Sequence, residues 1–84
     1  AADVAEITEN DGSVKTVVGL ANINETIKDA PAGTKVRIVK AAEGSKITAP
    51  AEVTVENTTD VSIEVNEDTL DAGQTITVEK IRNW

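Results

Sequence analysis

Alternation of β-branched and polar residues constrains this chain more than any other feature. Val4-Ala5-Glu6-Ile7-Thr8, Lys35-Val36-Arg37-Ile38, Glu52-Val53-Thr54-Val55-Glu56, Val61-Ser62-Ile63-Glu64-Val65 and Thr75-Ile76-Thr77-Val78 all repeat with a period of two. That period sends successive side chains to opposite faces of a strand, so one face can be buried while the other meets water. Val36, Ile38, Val53, Val55, Ile63, Ile76 and Val78 are therefore expected in the core. The core must come from 11 Val, 8 Ile and 2 Leu, because Trp84 is the only aromatic residue. At 84 residues the chain is expected to form one small β domain over 1–84. A domain of that size buries only about 60% of its unfolded surface, which makes the core thin.

Turn residues divide the alternating runs. Asn10-Asp11-Gly12-Ser13 separates Val4–Glu9 from Val14–Val18, which predicts a hairpin within 1–19. Over 22–30 the period changes. Leu20, Ile23, Ile27 and Ala30 form a helical stripe, and Asn22-Ile23-Asn24-Glu25 has the form of a capping box with Asn22 at the cap. Pro31 and Gly33 end this short helix. Successive strands are expected over 35–81, with turns at Asn57-Thr58-Thr59-Asp60 and at Asn66-Glu67-Asp68.

Composition removes most chemistry. Without Cys or His there is no disulfide, thiolate nucleophile, imidazole base or Cys/His zinc site. Ser13, Ser45 and Ser62 have no histidine base to activate them. Eight Lys and Arg against fifteen Asp and Glu leave a charge of -7, which argues against a nucleic-acid partner. Six of those negative charges fall in residues 43–84, which carry nine acids and three bases, mostly on the polar side of strands or in turns. Asn66, Glu67, Asp68 and Asp71 are the best candidate calcium group, with Asn57 and Asp60 second. The Asp-x-Asp-x-Asp-Gly loop that gathers six to eight oxygens is absent, so these read as polar turns. No catalytic residue, cofactor or metal is expected. No run approaches the roughly 18 apolar residues of a membrane span. The start, Ala1-Ala2-Asp3, lacks an initiator Met and any signal-peptide pattern, as a processed or excised piece does.

Glu25-Thr26-Ile27-Lys28-Asp29-Ala30-Pro31-Ala32-Gly33-Thr34-Lys35-Val36-Arg37-Ile38-Val39 places a short helix before a first strand. Ile47-Thr48-Ala49-Pro50 then leads to Val53-Thr54-Val55-Glu56, and Val61 to Leu70 reads as strand, turn and Leu. In this pattern residues 25 to 78 resemble the opening coils of right-handed β-helix proteins of the pectin-lyase-like class found on bacterial surfaces. Asn66-Glu67-Asp68 stands where that family has an Asn-Gly turn. The resemblance implies an all-β fold with one short helix, wound as a short β-solenoid. The alternative left open by the strand spacing is an immunoglobulin-like β-sandwich.

The expected function is that of a noncatalytic structural or adhesive module in an extracellular or cell-surface assembly. A virion structural protein, a capsid decoration or fibre component, is the alternative. In either setting the partners are neighbouring domains or identical copies, since assembly stabilises a thin core. Ile81 and Trp84, at the end of the last strand, are the candidate interaction residues.

Overall fold

The computed structural model describes residues 2 to 80. The elements run β1 (Val4–Thr8), β2 (Val14–Val18), α1 (Leu20–Ile27), β3 (Lys35–Lys40), β4 (Lys46–Ile47), β5 (Thr54–Asn57), β6 (Ile63–Val65), β7 (Asp68–Leu70) and β8 (Thr75–Thr77). This is an all-β fold with one short helix. One sheet has the order β2-β1-β3-β5-β8, and the other β4-β6-β7.

Between β3 and β6 the chain alternates between the sheets. β3 pairs in parallel with β5, Lys35 opposite Thr54, and β4 pairs in parallel with β6, Lys46 opposite Glu64. The offsets are thus 19 and 18 residues, each one turn of a solenoid-like winding, and the two turns overlap. Antiparallel strands occupy the next position in each sheet. β8 lies beside β5, and β7 beside β6. On the other side β1 pairs antiparallel with both β2 and β3. Two sheets share one core, as in a sandwich. Their parallel pairs separate this fold from the all-antiparallel immunoglobulin arrangement.

The core joins Ala5, Ile7, Val36, Ile38 and Val55 of the larger sheet to Ile47, Ile63, Val65 and Leu70 of the smaller one. Ile23 and Ile27 close it from the helix. Five of the seven expected core residues are buried, whereas Ile76 and Val78 are only partly so. The reason is positional. Among the described residues β8 has a neighbouring strand on one side only.

Three local expectations need correction. The helix begins at Leu20 and ends at Ile27, rather than spanning 22–30. Its N-cap is Gly19, at φ 101°, whose N–H donates to the Asp3 carbonyl while the chain leaves β2. A side chain at Gly19 would meet strain at that φ, so the turn selects glycine rather than a side-chain cap. Asn22 lies inside the helix and donates its amide to the Val18 carbonyl, 2.9 Å away. The fifth strand ends at Asn57, which sits at zero exposure instead of in a surface turn. Finally, Glu52 adopts φ 63° in a turn and does not extend the strand that follows.

The turn at Asn66-Glu67 does form. Both residues have positive φ, 50° and 73°, as a two-residue type I′ hairpin requires, and Val65 pairs with Asp68 across it.

Candidate interaction surface

Polar side chains that look available for chemistry are mostly bonded to backbone. Asn57 donates to the carbonyls of Val61, at 2.8 Å, and Leu70, at 3.0 Å. Its Oδ1 accepts from the Thr59 N–H and hydroxyl. Asn66 accepts from the Ala49 N–H and donates to the Ala49 carbonyl, both at 2.9 Å. Asn24 does the same at the free side of β4, accepting from the Thr48 N–H and donating to the Lys46 carbonyl. Each amide imitates a neighbouring strand where backbone would otherwise lack partners.

The candidate calcium residues are therefore dispersed. Asn66 is bound to Ala49, and Asp71 accepts from the Ser62 hydroxyl at 2.8 Å. Asn57 faces the core rather than Asp60. Among the described residues no three acidic side chains converge on one point. Asp3 is buried, accepts from the Ala42 N–H at 3.3 Å, and holds the first strand to the end of the third. Ser13 lies in the first turn, where its hydroxyl and N–H hold the Asp11 carboxyl below its usual pKa.

What remains open is the outer face of the larger sheet and its edges. The strand registers place Thr16, Glu6, Arg37, Glu56 and Thr75 in one row across five strands. A second row runs Val14, Thr8, Lys35, Thr54 and Thr77. The rows mix charge of both signs with threonine. Arg37 Nε stands 3.8 Å from Glu56 Oε1, and the Thr54 and Thr77 hydroxyls lie 2.8 Å apart. Such exposed pairs contribute little stability. They do make a solvated polar surface.

The two edges of that sheet differ. β2 is five residues long, without Pro, Gly or acid, and its Val14 and Val18 are 61% and 53% exposed. Edge strands usually carry charges, bulges or Pro that prevent pairing. Lys15 alone serves here. At the opposite edge, Ile76 and Val78 border a groove of about 440 Å³ between the sheets, into which Asp68 and Glu79 also face. Sequence reasoning missed the β2 edge, since alternation does not say which strand lies outermost. Ile81 and Trp84, the residues singled out from sequence, lie outside the described residues.

No family model, curated protein or solved structure matches the chain. Among the described residues no helix is long and apolar enough to cross a membrane.

Proposed function

We propose that the chain is a noncatalytic structural or adhesive module of an extracellular or cell-surface assembly. The observation that carries this reading is the use made of its polar side chains. Asn24, Asn57, Asn66 and Asp71 are all occupied in holding the fold, while the outer face of the larger sheet is rich in threonine and charge. A sequence without His, Cys, Tyr or Met offers few nucleophiles and bases. Its partners are protein surfaces, either neighbouring domains or identical copies. The two sheet edges left open among the described residues also suit a repeating lattice, which supports the virion reading as the second choice.

The test is location. An antibody raised against the folded domain should label intact cells of the source organism, and brief protease shaving should remove the label. Labelling only after lysis would refute the cell-surface reading. Labelling of purified virus particles, with none on cells, would favour the second.

A further inference from the structure

Hydrogen-bond parity shows which backbone groups the two sheet edges offer. Gly19 donates to Asp3 and Glu9 donates to the Ser13 carbonyl, so the bonded pairs of the first hairpin are Asp3–Gly19, Ala5–Val17, Ile7–Lys15 and Glu9–Ser13. Val14 and Thr16 therefore turn both N–H and C=O away from β1. Val18 does so too, but its carbonyl already accepts from Asn22. At the other edge Val78 donates to Val53 and Asn57 to Gln74, so Ile76 bonds toward β5. Thr75 and Thr77 then face outward.

We propose that β2 of one copy pairs antiparallel with β8 of a second copy, with Val14 opposite Thr77, Lys15 opposite Ile76 and Thr16 opposite Thr75. Four observations meet in this register. β2 and β8 run in opposite directions within one sheet, so a copy displaced along the sheet presents antiparallel neighbours. The outward groups of Val14 and Thr16 match those of Thr77 and Thr75 in number and spacing. Both polar rows of the outer face continue across the junction. Lys15, on the inner face and already 3.9 Å from Glu9 of its own hairpin, meets the groove lined by Asp68 and Glu79, which adds complementary charge. Pairing of two β2 strands would instead bring Lys15 toward its own copy. The contact is head-to-tail and so leads to an open series or a ring. The proposal rests on the structural-module reading and names its partner.

A three-residue strand addition is small, so association belongs to the weak class and is measured at high concentration. Sedimentation velocity of the full chain up to about 1 mM should show species beyond a dimer. Lys15→Glu should weaken association about tenfold, and adding Asp68→Lys in the same chain should restore it. Thr16→Pro removes the outward N–H of β2, and Thr75→Pro that of β8. Each alone should be largely monomeric, whereas their mixture should give a one-to-one dimer, since each retains the edge that the other lacks. Circular dichroism checks that both fold. If either does not, the Lys15→Glu and Asp68→Lys pair decides by itself. A wild-type monomer throughout, self-association that survives Thr75→Pro, or a Lys15→Glu variant as associated as wild type would each overturn the proposal. Those outcomes leave the surface-labelling result untouched, so the two failures are distinguishable.

Discussion

Removing the Asn57 side chain should cost this domain a large share of its stability. Asn57 is fully buried and makes two donor bonds, to Val61 and Leu70. In Asn57→Ala the Leu70 carbonyl keeps only its ladder bond from Ile63, the Thr59 N–H loses its acceptor, and the Thr59 hydroxyl is freed to donate to the Val61 carbonyl 3.2 Å away. Losing the two amide bonds and the Thr59 acceptor costs about 1–3 kcal/mol, and the small void adds to it. The expected loss is about 2–4 kcal/mol, against a total of order 5–10 kcal/mol for a chain of this size. In a thermal melt that corresponds to a fall of about 10–25 °C. Asn57→Asp has the same shape but offers acceptors where donors are needed, and it buries a charge. It should be worse than Ala at neutral pH. Burial and the facing carbonyls raise the folded-state pKa of such an acid above its unfolded value. Its deficit should therefore shrink as pH falls through that raised pKa, where the protonated acid can donate one bond. Urea denaturation of the three proteins at neutral and acid pH measures all of this. Losses below about 1 kcal/mol in both variants, or an Asp variant more stable than Ala, would refute the assignment of Asn57 as the donor that the two carbonyls depend on.

Ile38→Ala should cost about 2–4 kcal/mol and Ile76→Ala only about 1, since β8 is an edge; equal losses in urea titrations would contradict the strand order. Glu67→Gly should stabilise by up to about 1 kcal/mol, because Glu67 at φ 73° occupies a conformation that glycine adopts without steric cost; a lower melting temperature would count against the type I′ turn. Ser13→Ala should move the Asp11 pKa upward part of the way, since the residue-13 N–H still donates to the carboxyl; NMR titration reads it, and an unmoved Asp11 would show that the hydroxyl bond is not a cause. Melts with EDTA and with millimolar calcium should coincide, and a shift of several degrees would revive the acidic turns as a calcium site.

The local pieces are legible in short stretches of residues. Period-two alternation marks β1, β3, β5 and β6, because a strand half in water needs that pattern whatever it pairs with. Asp11-Gly12 closes the first hairpin, and the stripe through Ile23 and Ile27 marks the helix, since both depend on residues close in the chain. The remainder depends on long-range packing. Nothing local tells Val36 to pair with Val55 in parallel, nineteen residues on, while Ile47 goes to the opposite sheet. That choice follows from closing one core around long connections, which contact patterns of near neighbours do not encode. Asn57 looked like a turn residue by type and becomes a core residue because β5 lies between β3 and β8. The open edges are the last such decision. β2 and β8 became the outermost strands only when the five-stranded order was fixed, and with it the place where another chain can pair.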